Sequence, residues 1–209
     1  MSETKFNNPA YRIETERLVV RCYQPSDAQQ LSDSINESRE HLKPWMPWAH
    51  TEPEPIEVIA DRVRHFRGNF DIGENFIYAI FNKDESRLIG GTGLHPRIGD
   101  EQLEIGYWIH KDFVNQGFVT ESTAALVKVA FELIRVHRIE IHCDPGNVAS
   151  ASIPRKLGFT HEGTLRAKTR FLDRWSDSMV WSLLDHEYPN SPSKSAKIKV
   201  FDARDIPVL

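Results

Sequence analysis

The stretch Phe113 to Ser122 reads F-V-N-Q-G-F-V-T-E-S. It follows a strand-like run, L-E-I-G-Y-W-I, and leads into a long apolar, helix-forming segment. A strand, a short turn carrying a glycine and then a helix start form an anion cradle, because the first backbone N–H groups of a helix have no intrahelical partner and the helix dipole favours negative charge there. A phosphate loop of the nucleotide-hydrolase kind needs a second glycine and a Lys-Ser/Thr, and neither is present. A second helix start follows at N-V-A-S, where Asn147 suits a cap and Ser150 offers a hydroxyl three residues on. Two prolines bar a regular helix from H-L-K-P-W-M-P-W-A, and its Trp45 and Trp48 are large apolar surfaces that need a partner or a ligand.

These residues need elements to position them. Arg17 to Tyr23 is β-branched and short, a strand. Pro25-Ser26-Asp27 opens a helix, and Glu54 to Phe70 places Ile56, Ile59, Val63 and Phe66 on one helical face. Strands follow at Asn75 to Phe81, Arg87 to His95 and Gln102 to Ile109. Thr120 to Val136 is apolar almost all round, which predicts a helix packed between layers. Arg138 to Cys143 is a strand, Asn147 to Leu157 a short helix closed by Gly158, and strands are expected near Thr160 to Arg166 and Trp175 to Leu184. The order is not a regular alternation, so the expected class is α+β, a mixed α/β sheet around a central strand-helix-strand-helix unit.

The 209 residues suit one domain, residues 1–188, with 189–209 as a proline-, serine- and lysine-rich linker or tail ending in apolar residues. A domain of this size buries about 70% of its unfolded surface, enough for a core without disulfide or metal. Cys22 and Cys143 are far apart and read as reduced thiols of a cytoplasmic protein. The nine histidines show no metal spacing, so no metal is expected. A net charge of −4 argues against a broad nucleic-acid surface. The M-S-E-T-K-F-N-N start lacks the apolar core of a leader, and no run of 18 apolar residues occurs to cross a membrane.

Taken in order, L-E-I-G-Y-W-I … F-V-N-Q-G-F-V-T-E-S and R-I-E-I-H-C-D-P-G-N-V-A-S-A-S-I-P-R-K-L-G-F resemble the GNAT superfamily of acetyl-CoA-dependent N-acetyltransferases. E-T-E-R-L-V-V-R, L-I-G-G-T-G-L and E-G-T-L-R followed by Trp175 and Asp177 are similar to its RimJ/RimL-type branch. The resemblance covers roughly residues 12 to 188. It implies a mostly antiparallel sheet splayed between two strands and flanked by helices. The pyrophosphate pattern Q/R-x-x-G-x-G/A falls on Val114 to Val119, with valine at both ends and Asn115 where the branch often has glycine. Asparagine enters the left-handed region at small cost, so the turn can keep its shape.

The resemblance implies that Asn115, Gln116, Gly117, Phe118, Val119 and Thr120 hold the diphosphate. Trp108, Ile109 and His110 would line the pantetheine arm, and Asn147 would cap its helix and touch the cofactor. Ser150 takes the place of the acid that protonates the departing thiolate. Other members use a tyrosine four residues later, but Pro154 stands there, so no phenol is expected in that role. Glu104 is the expected base. The branch's glutamate after E-G-x-L-R is replaced by Thr169. Trp45 and Trp48 would wall the acceptor site.

The reaction so implied moves an acetyl group from acetyl-CoA to a primary amine in a ternary complex, without a metal. The favoured acceptor is the α-amine of a ribosomal protein or peptide. Baring a lysine amine of pKa about 10.4 at pH 7 costs about 4.6 kcal/mol, and an α-amine only about 1 kcal/mol. The alternatives are a small amine (polyamine, amino acid or antibiotic) and a non-catalytic acyl-CoA-binding module. Neither nucleic acid nor membrane is an expected partner, and a homodimer is possible by the same resemblance.

Overall fold

The computed structural model describes residues 9–209. The Met1 to Asn8 start, read above for a leader, lies outside the described residues. The strands are β1 (Arg12–Glu14), β2 (Leu18–Cys22), β3 (Phe76–Asn82), β4 (Leu88–His95), β5 (Gln102–Ile109), β6 (Arg138–Cys143), β7 (Thr160–Phe171), β8 (Arg174–Leu184) and β9 (Lys199–Phe201). They form one mostly antiparallel sheet in the order β7-β8-β6-β5-β4-β3-β2-β1-β9, flanked by helices α1 (Ala28–Leu42), α2 (Ile56–Asp71), α3 (Phe118–Val129) and α4 (Val148–Lys156).

Strand alternation sends successive side chains to opposite faces. Val19, Ala79, Phe81 and Leu88 face α1 and α2, packing with Leu31, Ile35, Ile59 and Val63. Leu18, Val20, Tyr78, Ile80, Ile89, Leu94 and Ile105 face the other way and pack with Ala125, Leu126 and Val129 of α3. Each face thus carries its own apolar core. Among the described residues no helix is long and apolar enough to cross a membrane.

The feature that positions the site is a split. β5 and β6 pair in parallel over only three positions, Gln102↔Arg138, Leu103↔Ile139 and Glu104↔Glu140. Beyond them β5 stays with β4 as far as Ile109, and β6 stays with β8 as far as Cys143. The facing edges of Ile105 to Ile109 and Ile141 to Cys143 therefore diverge, leaving a wedge with unpaired backbone on both sides. This is the splay that the resemblance implied.

Two expectations change. The segment 189–209, read as a linker or tail, is built into the fold. Ser191 and Ser193 are buried in turns, and β9 adds to β1 with Val200 fully buried. The short β1, Arg12 to Glu14, had offered too few residues to stand out as a strand. The helix expected over Thr120 to Val136 starts at Phe118 and gives way at Ala130 to a wider turn, which ends at Arg135 with φ +65°.

Candidate active site

The turn before α3 takes the shape that its residues allow. Asn115 has φ +59° and Gly117, which caps the helix, φ +81°. Two left-handed residues two apart turn the chain so that α3 begins with its N–H groups toward the wedge. Arg17 holds this turn from outside. Its Nη1 donates to the Gln116 carbonyl at 3.0 Å, its Nε donates to Glu121 Oε2 at 2.7 Å, and its guanidinium covers the Phe118 ring at 4.4 Å. Thr15 Oγ1 donates to the other Glu121 oxygen at 2.6 Å.

A cleft of about 470 Å³ runs from this turn along the wedge. It is lined by Asn115, Gly117, Phe118, Val119 and Thr120 at one end, by Trp108 and Ile109 of β5, and by Asn147 and Ser150 of α4. These are most of the residues singled out from sequence for the cofactor. Two of that set lie elsewhere. His110 is fully buried. Its N–H donates to the Ile89 carbonyl, its Nδ1 accepts from Asp112 N at 3.1 Å, and its Nε2 faces Glu37 at 2.9 Å. His110 therefore joins β5 to α1. Glu37, His110 and Asp112 bring ligand-type atoms within 4.8 Å of one another, but both imidazole nitrogens already have protein partners. Gln116 turns its amide back to the Asp112 carbonyl, so only its backbone belongs to the turn.

At α4, Asn147 Oδ1 accepts from Ser150 N at 3.0 Å, as a capping asparagine should. Ser150 Oγ then donates to the Tyr107 hydroxyl at 3.2 Å, and that hydroxyl donates to the Ser150 carbonyl at 3.1 Å. A phenol therefore lies against Ser150 even though Pro154 supplies none. It comes from β5 rather than from the helix. Burial pushes the Tyr107 hydroxyl well above its ordinary pKa, an effect that Ser150 partly offsets, so it stays protonated. Burial likewise raises the Cys143 thiol, which lies against Ser150.

A second cleft of about 530 Å³ opens between the sheet and α1 and α2. Its walls include Leu31, Ile35, Phe66, Ile77 and Trp48. Gly91 and Gly106 lie in its floor, and Gly93 stands beside them on β4. A side chain on Gly91 would collide with the Trp108 indole, and one on Gly93 would lie 2.6 Å from the His95 ring. Both rings can lie down on the sheet only because these positions are bare. The two clefts share Met46, Tyr107 and Trp108. The tryptophans of the proline-broken segment divide between them: Trp45 lines the first, and Trp48 lines the second, edge-on to Trp108 at 6.0 Å.

Glu104 is not drawn into either cleft. Both its oxygens accept from the Arg97 guanidinium, one at 2.8 Å, and His142 Nδ1 lies 4.0 Å away. Burial alone would raise this carboxyl, but Arg97 outweighs it and holds the pKa below the usual carboxylate range. A carboxylate so occupied is a poor proton acceptor. Sequence reasoning missed Arg17, Tyr107 and His95. Arg17 stood in the E-T-E-R run and Tyr107 in G-Y-W-I, but nothing in one strand reveals which residue of another it meets.

Residues 17–160 match the family model for the acetyltransferase (GNAT) domain. The putative ribosomal N-acetyltransferase YdaF of Bacillus subtilis is 28% identical over 179 residues, covering 83% of this chain and 94% of the relative. The ribosomal protein uS5-alanine N-acetyltransferase of Escherichia coli is 28% identical over 182 residues, covering 85% and 92%. Among solved structures, the microcin C7 self-immunity acetyltransferase MccE, in complex with acetyl-CoA and AMP, superposes with a TM-score of 0.76. It is 19% identical and covers 81% of this chain and 93% of that one, a likeness of fold. The splayed sheet, the turn before α3 and these matches agree: the chain belongs to the GNAT family of N-acetyltransferases.

Proposed function

We propose that the protein transfers the acetyl group of acetyl-CoA to a primary α-amine at the N-terminus of a protein or peptide, in a ternary complex. The observation that carries this reading is the meeting of two clefts at Met46, Tyr107 and Trp108. The first cleft would take the diphosphate at Asn115 to Thr120 and the pantetheine arm along the free edge at Trp108 and Ile109, almost as an added strand. The second would take the amine. The nitrogen lone pair attacks the thioester carbonyl, the C–N bond forms, the C–S bond breaks, and the surplus proton on nitrogen passes to solvent. The leaving thiolate takes its proton from Ser150 Oγ, which the Tyr107 phenol holds in place, and Ser150 recovers a proton from solvent.

Two relatives carry names of ribosomal N-acetyltransferases, which supports a protein N-terminus as acceptor. The second cleft has no carboxylate among its lining residues, and its single cation, Arg62, is already paired with Glu52 and Glu54. That is poor ground for a polyamine, which needs counter-charges. A cytoplasmic homodimer would fit the reading. The test is acetyl-CoA turnover against ribosomal N-terminal peptides and a panel of small amines. Turnover on peptides above every small amine is expected. Tight acetyl-CoA binding with no amine acetylated would instead favour a binding module.

A further inference from the structure

We infer that His95 is the residue of the second cleft that receives the amine, and that the cleft selects an amine carried on an apolar group. This rests on the reading of that cleft as the acceptor site. His95 ends β4, lies half-buried in the cleft and has one nitrogen committed: Asn75 Oδ1 accepts from Nδ1–H at 2.7 Å. That bond selects the tautomer whose Nε2 keeps its lone pair. No protein donor meets Nε2 among the described residues.

The space around it is built by omission. Gly93 and Gly106 sit opposite each other on β4 and β5, and a Cβ would lie 2.7 Å from Nε2 on Gly93 and 3.3 Å on Gly106. Gly106 is the neighbour of Tyr107, so the free nitrogen sits one residue from the junction of the clefts. The charged groups near the ring are Arg97 and Glu104, which are paired with each other. Burial and Arg97 hold the imidazole neutral, to a pKa of about 4, so it is an acceptor throughout the neutral range.

A neutral acceptor suits an uncharged amine. It takes one N–H and leaves the nitrogen lone pair for the thioester carbonyl. It would repel no proton donor and hold no dication. With Leu31, Ile35, Phe66 and Ile77 around it, the group bearing the amine must be apolar or small.

The test uses the full-length protein, with tetrapeptides beginning in Ala or Ser, 2-phenylethylamine and spermidine as probes. H95F removes the acceptor, H95Q keeps one, and G106A crowds Nε2. In H95F and G106A, kcat/KM for the peptides should fall about 10- to 100-fold, with KM for acetyl-CoA changed less than about twofold. H95Q should recover part of the loss, and spermidine should be the poorest substrate of the wild type. Turnover in H95F within about twofold of wild type, or an equal loss of acetyl-CoA affinity, would overturn the assignment, and a preference for spermidine would overturn the apolar class. If the wild type acetylates none of the probes, the proposed transfer fails. The site is then judged by ¹⁵N NMR of the His95 ring with 2-phenylethylamine: a moved Nε2 resonance upholds it, and an unmoved one refutes it.

Discussion

The two clefts are built from different materials. The first is organised by backbone at its turn end: a left-handed turn at Asn115 and Gly117, the N–H groups opening α3, and the unpaired edge of β5 beyond Glu104. The second is mostly side chains, contributed by α1, α2, β3, β4 and β5 and seated over glycines. A backbone cradle is written locally, in a run of ten residues, and suits a ligand with a fixed diphosphate. A side-chain cleft is assembled from distant positions and can change its ligand by single substitutions. One half is therefore fixed by backbone geometry, and the other is open to change by single side chains.

The sharpest break of this comparison comes at the junction, where Tyr107 lines both clefts and meets Ser150 of the first. Y107F and S150A should each lower kcat about 100- to 1,000-fold with KM for acetyl-CoA within about threefold, because a proton donor acts on the leaving thiolate and not on binding. Steady-state kinetics decides it. An unchanged kcat in both would remove this pair from the chemistry.

Next is the backbone half alone. G117V forces a β-branched residue to φ +81° and sets a carbon about 3.4 Å from Arg17 Nη2. Its strain of about 1–2 kcal/mol should weaken acetyl-CoA binding about 5- to 30-fold in calorimetry. The amine side should be untouched.

The side-chain half has its own signature in acid. The folded pKa of His95, about 4, lies below the ordinary value of 6.5. The fold binds the neutral ring, so stability is present above pH 6.5 and is lost as pH falls toward 4. At about 1.36 kcal/mol per pKa unit this is roughly 3 kcal/mol. Denaturant melts between pH 7 and 4 should show wild type losing more stability than H95N by about that amount. Equal losses would show that the ring titrates normally.

The smallest effect is expected at Glu104, which lines neither cleft. E104Q weakens the pair with the exposed Arg97 and should cost about 1–2 kcal/mol of stability, with turnover within about threefold. Its carboxyl is held low in the fold, so its contribution is present above the ordinary carboxylate pKa and fades as pH falls through the folded value. A hundredfold loss of turnover in E104Q would restore it as the base.

The same contrast explains what was legible in the sequence. Strands with period-2 patterns and long apolar helices appeared with boundaries close to those observed, and β5 and β6 matched throughout. The turn at Asn115 could be read because left-handed residues are few in kind. Ser150 and Asn147 were visible as a helix start. Tyr107 was not, because its partner lies 43 residues away in sequence and meets it only across the wedge. Nor was Glu104's commitment to Arg97, since the pairing depends on how β4 leaves the sheet. Lys199 to Phe201 fell within the expected tail, whose apolar end had no visible partner in sequence; in the fold it pairs with β1.

The division of labour between the clefts is the central claim, and initial-rate kinetics of G117V beside G106A tests it most directly. The account predicts that KM for acetyl-CoA rises only in G117V and that kcat/KM for the amine falls only in G106A. If both substitutions moved both constants together, or if G106A changed only the acetyl-CoA constant, the two clefts would not have the separate roles assigned to them.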